Sequence, residues 1–221
     1  YFTYHGDFLR ADRHGIRGAL FDSDRIDLGI SRAGSPPVGS DGTSARAGMP
    51  DLKATGEIGP QLDLTLWRSD SRARKLTLIL PLRAAFTLTG PPRDKGWVFS
   101  PALNLDVADM AGLPGWKLGL RSGPIFATQR QHAYFYEVAP AQATATRPAY
   151  AASGGYSGSQ FLAALSKRFP TYWVGGYVRY DNLQGAAFDD SPLVARNHYL
   201  AGGVAVAWIF GESSQPVSVD D

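Results

Sequence analysis

The segment Gly155-Tyr156-Ser157-Gly158-Ser159 comes closest in this sequence to a catalytic motif. It approaches the G-x-S-x-G pattern, in which a serine on a sharp strand-to-helix turn acts as the nucleophile of a hydrolase. The last glycine of that pattern is replaced by Ser159, and no helical pattern follows. The Gly-Lys-Ser/Thr ending of a phosphate-binding loop is also absent. We therefore interpret the segment as the glycine-rich start of a strand.

Metal binding and acid–base catalysis both require side chains that converge on one point. The sequence contains four histidines, His5, His14, His132 and His198. Their spacing is not that of a metal site, and we expect them to be solvated residues of loops or strands. Asp189 and Asp190 could act as an acid and a base or bind a cation, but directly before Ser191-Pro192 they are more typical of a turn cap. The sequence predicts no catalytic residue, no metal site and no cofactor.

A further group of charged residues has the spacing expected of side chains on one face of a sheet. Each lies between apolar residues in a segment that alternates with period two, so that it projects from the polar face of a sheet. If the sheet closes, this face surrounds a lumen, where charges either tune ion selectivity or pair with one another in a plugged interior. We favour the plugged interior. The lumen-facing candidates are Glu57, Asp63, Arg83, Arg121 and Arg179.

Strands must position these residues, because apolar and polar residues alternate along most of the chain. In the clearest case Ile26, Leu28 and Ile30 point to one side and the polar residues between them point to the other. The pattern predicts ten strands and no helix, and it leaves residues 134–138 open between a strand extension and a loop. The predicted strands are 2–11, 16–21, 25–31, 57–67, 75–87, 97–106, 115–127, 154–166, 171–181 and 198–210.

The predicted connections are short and long in alternation. The short ones are 22–24, 69–71, 109–114 and 167–170, and the long ones are 32–56, 128–153 and 182–197. If the strands run up and down, the long connections share one end of the sheet, as in outer-membrane barrels. Two shorter connections, 12–15 and 89–96, are the exceptions at that end.

Composition excludes several classes of protein. The 221 residues include no cysteine, which removes disulfide scaffolds and thiol catalysis. The 22 basic and 20 acidic residues are interspersed, so a nucleic-acid partner is not predicted. No apolar run is long enough for a transmembrane helix. The chain opens on strand-like residues without a visible signal peptide, and we interpret it as processed or N-terminally truncated, with a true cytosolic start as the alternative.

The apolar face could meet a protein core or the hydrocarbon of a membrane, and three features favour hydrocarbon. Tyr172 and Tyr180 bracket one apolar strand face, charged residues occupy the opposite faces, and the last strand ends in Trp208 and Phe210. Such aromatic girdles mark both interfaces of a membrane barrel. Since unpaired backbone groups are not tolerated in lipid, the sheet must close. A soluble lipocalin-like barrel or a sandwich is the alternative.

Six short segments then occur in a fixed order: ARAGMPDL (45–52), GEIGP (56–60), LPLR (80–83), RPAY (147–150), GYSG (155–158) and DSPLV (190–194). On these segments the chain resembles the MipA/OmpV family (MltA-interacting protein) over essentially its whole length. The members of that family are outer-membrane proteins of Gram-negative bacteria. The resemblance implies a transmembrane antiparallel up-and-down β-barrel, with about ten strands in this chain and about twelve if intact. We assign the barrel to residues 1–210 and a polar C-terminal tail to 211–221.

The function implied by this resemblance is not enzymatic. Family members are described as scaffolds that link a lytic transglycosylase to a murein synthase, or as porin-like proteins. A scaffold in the outer membrane is therefore expected, with outer-membrane lipid, a lytic transglycosylase and a penicillin-binding protein as partners. A porin-like channel for small solutes is the alternative, and a soluble carrier is a third, weaker one.

Overall fold

The computed structural model describes residues 4–5, 10–12, 15–17, 19–40, 44–110 and 112–209, and side chains from Ser23 onward. Phe210 and the predicted tail 211–221 lie outside the described residues, as does most of the predicted first strand, 2–11.

The described part of the chain consists mainly of strands, with a single α-helix, α1 (Gln129–Tyr136), in one of the connections. Two 3-10 turns, Ser44–Arg46 and Pro140–Gln142, lie in the same group of connections. None of the described helices has the length and apolar character that crossing a membrane requires. The strands are β1 (Tyr4–His5), β2 (Arg10–Asp12), β3 (Gly15–Arg17), β4 (Ala19–Asp22), β5 (Ile26–Ser35), β6 (Thr55–Arg68), β7 (Arg74–Thr87), β8 (Asp94–Phe99), β9 (Ala102–Met110), β10 (Leu113–Ala127), β11 (Gly155–Arg168), β12 (Tyr172–Asn182) and β13 (His198–Trp208).

Strands β4 to β13 form one antiparallel sheet in which each strand pairs with the next along the chain, apart from β8 and β9. β8 and β9 occupy one position in this sheet, because both pair with β7 and with β10. Ser100 and Pro101 separate them, and proline has no N–H to donate to a neighbouring strand. β1, β2 and β3 form a separate three-stranded sheet. The predicted up-and-down antiparallel architecture is confirmed.

The apolar side chains of the large sheet lie on its exposed face. In β7, Leu82 is 42% exposed, whereas the next residue, Arg83, is 9% exposed. In β13, Val204 is 93% exposed. Ile26 in β5 and Leu66 in β6 are also exposed. The leucines and valines of the alternating segments therefore do not form a buried centre, and the charged side chains occupy the opposite face.

The connections have the predicted asymmetry. Residues 23–25, 69–73 and 169–171 form short turns at one end of the sheet, where the connection from β9 to β10 is also short. The described parts of the long connections, 36–40, 44–54, 128–154 and 183–197, lie together at the other end, where 88–93 is a shorter link. The longest described segments outside the sheet are thus concentrated at the long-loop end.

Helix α1 corrects the prediction that the chain has no helix. It includes Tyr134, Phe135 and Tyr136, which belong to the segment that the sequence left open between strand and loop. Aromatic residues favour strands, and eight residues are too few for a helical period to be recognised. Tertiary packing stabilises such a short helix, because isolated helices of this length are unstable in water.

Candidate functional site

The three long connections fold against one another into a single body, the loop cap, which comprises the described residues 36–40, 44–54, 128–154 and 183–197. The cap has a core of its own, since Val138 and Phe188 are almost completely buried. Long connections in a compact domain are usually either disordered or functional. These connections are ordered, so the cap is a candidate functional region. Side-chain contacts between the loops hold the cap together.

A buried arginine joins the first two loops of the cap. The side chain of Arg147 is buried, and its Nη1 donates hydrogen bonds to the carbonyl oxygens of Ala45 and Ala47 at 3.1 and 2.9 Å. Its Nε and Nη2 donate to the carbonyl oxygen of Gln142 at 3.2 and 2.8 Å. Carbonyl dipoles thus solvate this buried charge in place of water.

A second buried arginine joins the first loop to helix α1. Arg46 donates from Nη1 to the carbonyl oxygen of Phe135 at 3.1 Å and from Nη2 to that of Pro50 at 3.3 Å. Burial lowers the pKa of Arg46, and Arg147 lowers it further. An arginine nevertheless stays charged at physiological pH, so the two guanidinium groups act as fixed cross-links.

The third loop is attached through aromatic and hydroxyl groups. The rings of Tyr136 and Phe188 stack at 3.7 Å between centroids, and the Ser191 hydroxyl donates to the Tyr136 carbonyl oxygen at 2.7 Å. The Tyr150 hydroxyl donates to Asp190 Oδ1 at 3.0 Å. Burial, followed by the hydrogen bond and charge of Asp190, raises the pKa of Tyr150 to about 12. The three loops are therefore one unit.

The two adjacent aspartates, Asp189 and Asp190, have different roles in the structure. Asp189 Oδ2 accepts a hydrogen bond from the backbone N–H of Gly185 at 2.9 Å, which is the turn-capping role that the sequence predicts. Asp190 accepts from Tyr150 instead and connects two loops. No cluster of three or more His, Cys, Asp or Glu side chains suited to a metal ion occurs among the described residues.

The predicted glycine-rich strand start is confirmed, since β11 begins at Gly155. Ile125 pairs with Gly158 and Phe126 pairs with Tyr156, so Ser157 is the extra residue of a β-bulge. Gly158 has a φ of 108°, and a β-carbon there would be 2.6 Å from the carbonyl oxygen of Asn182. Only glycine fits this position without strain. The bulge redirects the side chain of Ser157 towards the cap.

Ser157 meets a buried histidine, which corrects the expectation that all four histidines are solvated. His132 is 2% exposed, with Nε2 at 2.7 Å from Ser157 Oγ and Nδ1 at 2.6 Å from the carbonyl oxygen of Ser153. Nδ1 therefore carries the proton, and the Ser157 hydroxyl donates to Nε2. The ring of Phe188 covers the imidazole edge-on at 4.7 Å. The pair fastens helix α1 to the start of β11.

The sequence did not reveal this role of His132 because the contact depends on the folding of two loops. His198, by contrast, is exposed as predicted. The side chains of His5 and His14 lie outside the described residues.

Two of the lumen-facing candidates form an ion pair on the polar face of the sheet. Arg83 Nε is 2.9 Å from Glu57 Oε2, and both side chains are largely buried. Arg83 also donates from Nη1 to Ser31 Oγ at 3.3 Å and from Nη2 to Ser100 Oγ at 3.1 Å. Arg83 thus connects β5, β6, β7 and the break between β8 and β9.

Of the other three candidates, Asp63 and Arg121 lie near this pair, whereas Arg179 has a partner of its own. Asp63 accepts two hydrogen bonds from Gln61 Nε2, at 2.9 and 3.1 Å. Arg179 Nε is 2.9 Å from Asp181 Oδ2. Arg121 is within electrostatic range of Arg83 and Asp63. The structure therefore brings four of the five candidates into one charged group, with Arg179 in a neighbouring pair.

The predicted aromatic girdle lies on the exposed face. Tyr172 and Trp208 pair with each other at the short-turn end of β12 and β13. Tyr180 is exposed near the long-loop end of β12. These residues bracket the apolar part of the last two strands at both ends, as the girdles of a membrane barrel do.

Comparison with known proteins assigns this arrangement to a family. The family model described as MltA-interacting protein MipA matches residues 1–210. This chain belongs to the MltA-interacting protein family. It is 26% identical over 216 residues to outer membrane protein OmpV of Vibrio cholerae serotype O1, an alignment that covers 95% of this chain and 76% of that protein. It is 25% identical over 215 residues to outer membrane protein Omp26La of Vibrio anguillarum, with the same coverage. No solved structure matches the chain.

Membership of this family makes the chain an outer-membrane protein, and its all-β antiparallel structure is that of an outer-membrane barrel protein. The relatives are named as outer-membrane proteins, without reference to an enzymatic activity. Three of the six segments that carry the family resemblance, 45–52, 147–150 and 190–194, lie in the loop cap and contact one another there. The cap is therefore where three of the six family segments meet.

The buried His132 makes the cap sensitive to pH. Burial lowers the pKa of His132 below its usual value, so the unfolded loop binds a proton more readily than the folded cap. The resulting stability is fully present above about pH 6.5 and decreases as the pH falls towards the lowered pKa. We expect hydrogen exchange at 129–138, corrected for its intrinsic rate, to be faster at pH 5 than at pH 7.5.

Two variants provide the controls for this prediction. His132→Gln removes the titrating group and should make the difference in exchange rate between pH 5 and pH 7.5 smaller. His198→Gln changes an exposed histidine and should leave the difference as it is. Equal protection of 129–138 at both pH values in the unaltered protein would contradict the prediction.

Proposed function

We propose that this protein is a non-enzymatic scaffold that holds a lytic transglycosylase near a murein synthase of the penicillin-binding type. The family description, MltA-interacting protein, supports a partner of the first kind. The observation that carries the proposal is an ordered apolar surface at the short-turn end of the sheet.

The orientation follows from the lengths of the connections. In outer-membrane barrels the short turns face the periplasm and the long loops face outward. Applied to this chain, the rule places the loop cap outside the cell and the short turns on the side where murein lies. The exposed apolar face then meets lipid, with Tyr172 and Trp208 at the periplasmic boundary and Tyr180 at the outer one.

Two adjacent periplasmic turns form the surface that we propose for partner binding. The turn platform comprises Leu113 and Pro114, at the end of the predicted short connection 109–114, together with Phe169 and Pro170. Lys167 orders it, because its Nζ donates to the Pro114 carbonyl oxygen at 2.9 Å and lies 5.2 Å from the centre of the Phe169 ring.

Exposed apolar groups distinguish this platform from an ordinary turn. Leu113 is 43% exposed, and Pro114 and Pro170 are exposed beside it. The Phe169 ring stacks on Tyr172 at 4.5 Å between centroids, so the platform is fixed to the start of β12. A rigid apolar patch binds a protein partner with little loss of conformational entropy.

Affinity purification from detergent-solubilised envelopes tests the scaffold. The unaltered chain should enrich a lytic transglycosylase, and Leu113→Glu/Pro170→Glu should lower its recovery by about tenfold, because charges enter the apolar centre of the interface. Val38→Glu, an exposed apolar site in the loop cap, is the matched control and should recover as much as the unaltered chain.

Two outcomes would contradict the scaffold proposal. One is the absence of both a lytic transglycosylase and a penicillin-binding protein from the purified material. The other is unchanged recovery with Leu113→Glu/Pro170→Glu. Heat-modifiable migration of each variant on a gel shows that its barrel has folded.

The channel alternative depends on the charged face of the sheet. Arg83 is paired with Glu57 and Arg179 with Asp181, an arrangement that favours a plugged interior over an open one. The scaffold is therefore the function that we propose.

A further inference from the structure

Four basic residues gather at the rim where the loop cap meets the exposed face of β7 and β8. We call them the rim cluster: Lys53, Arg93, Lys95 and Arg130. The carboxylate that the structure places among them is Asp94, so that four positive charges and one negative charge give a local balance of about +3. The whole chain has a net charge of +2. The rim cluster is therefore a concentrated positive site on a nearly neutral protein.

Tyr134 of helix α1 organises the rim cluster. The Lys95 ammonium lies 4.0 Å from the centre of the Tyr134 ring, and the Tyr134 hydroxyl donates to the Lys53 carbonyl oxygen at 2.9 Å. Lys53 Nζ lies beside the loop between β7 and β8, since a β-carbon built on Gly90 would be 3.6 Å from it. The positions of the cations are thus set by the fold of the cap.

The charges in the rim cluster are incompletely balanced. Arg130 Nη1 forms an ion pair with Asp94 Oδ2, and both of these side chains are exposed. Asp94 Oδ1 already accepts the backbone N–H of Gly96 at 2.7 Å. Arg93, Arg130 and Lys53 all repel the Lys95 ammonium, which Asp94 attracts. An anion with several negative charges would relieve this repulsion.

The rim cluster continues directly into the exposed apolar face. Trp97 and Phe99 of β8 pair with Ala84 and Leu82 on the exposed face, and both rings are exposed. Lys95 precedes them at the β-bulge that ends this pairing. Leu88, which follows the last residue of β7 in the same alternation as Leu82, is 59% exposed. A ligand that fits both parts must carry anionic groups next to hydrocarbon chains.

We propose that the rim cluster binds the phosphate groups of a phosphorylated saccharolipid of the outer leaflet, of the lipid A class. Its acyl chains lie along Leu88, Trp97 and Phe99, and its phosphates contact the cations above them. Arginine and lysine next to an apolar surface bind phosphorylated lipid headgroups in this way. A soluble anion would contact the cations alone and would leave Leu88, Trp97 and Phe99 uncovered. The proposal goes beyond the scaffold function and concerns the opposite end of the protein.

Native mass spectrometry of the full chain in neutral detergent tests the proposal with three lipids. The probes are bis-phosphorylated lipid A, the same lipid A without its phosphates, and phosphatidylglycerol. We expect the bis-phosphorylated lipid to bind most tightly. Arg93→Gln/Lys95→Gln should weaken its binding by about tenfold or more, because two phosphate contacts are removed. The matched control Arg25→Gln/Arg74→Gln removes two exposed cations at the short-turn end and should bind like the unaltered chain.

Three results would overturn the proposal. They are equal binding of lipid A with and without phosphates, equal binding of phosphatidylglycerol, and unchanged binding by Arg93→Gln/Lys95→Gln. If that variant lacks heat-modifiable migration, Lys53→Gln, at an exposed position in the cap, provides the same comparison. A loss of lipid A binding without a loss of transglycosylase recovery separates this site from the turn platform.

Discussion

Replacing Arg147 by methionine is expected to open the loop cap and to leave the strands in place. The change removes the buried guanidinium together with its four hydrogen bonds. The carbonyl oxygens of Ala45, Ala47 and Gln142 then lose these donors. We expect a loss of about 3 kcal/mol in the local stability of the cap, since each buried carbonyl that loses its partner is destabilising. Hydrogen exchange at 45–52 and 142–150 should become much faster, whereas amides of β6 and β7 should keep their protection.

Arg196→Met is the matched control for this experiment. Arg196 lies in the third loop of the same cap and is exposed, so its replacement should change the exchange rates little. The prediction is contradicted if Arg147→Met leaves the protection of 45–52 unchanged. Limited proteolysis gives an independent measure, with new cleavage sites expected in the cap and none in the strands.

Arg83→Met is expected to destabilise the sheet by about 3 kcal/mol, because it leaves the Glu57 carboxylate largely buried without its cation. Glu57→Gln/Arg83→Met should recover much of this loss, since a neutral amide needs no counter-charge. Urea unfolding in detergent micelles, followed by tryptophan fluorescence, measures both effects. If the double variant is as unstable as Arg83→Met, the damage comes from lost packing or from the bonds to Ser31 and Ser100, and the ion pair is not its cause.

The matched control for this pair is Arg179→Met. Arg179 also forms an ion pair, with Asp181, but its side chain is much more exposed than that of Arg83. Solvent screens exposed pairs, so the loss of stability should be clearly smaller. A loss as large as that of Arg83→Met would show that burial does not determine the effect.

The sequence predicts the faces of the sheet well. Leu82 and Arg83 are neighbours with opposite exposure because successive residues of a strand point to opposite sides, and that alternation can be read without a structure. The alternation also limits the prediction. It is lost after Ser31, yet β5 continues to Ser35, which pairs with Thr55 of β6. Here pairing with a neighbouring strand extends the element beyond its own pattern.

The loop cap was much harder to predict. Arg147 reaches Ala45 across 102 positions of sequence, and it binds backbone carbonyl oxygens that any residue would supply. Such a contact leaves no pattern in residue types. The segments ARAGMPDL and RPAY carry part of the family resemblance, but that resemblance does not say that they contact each other. His132 was missed for the same reason, since its partners lie in another loop and in a β-bulge.

The way in which the loop cap holds Arg46 and Arg147 has a consequence for the habitat that the protein can tolerate. Dissolved ions compete strongly with carboxylate–cation pairs at a surface, and they compete little with a guanidinium enclosed by neutral peptide oxygens. In the orientation proposed above, the loop cap is exposed to whatever salinity the surroundings impose. We therefore expect a loop cap cross-linked by these two arginines to keep its shape over a wide range of ionic strength.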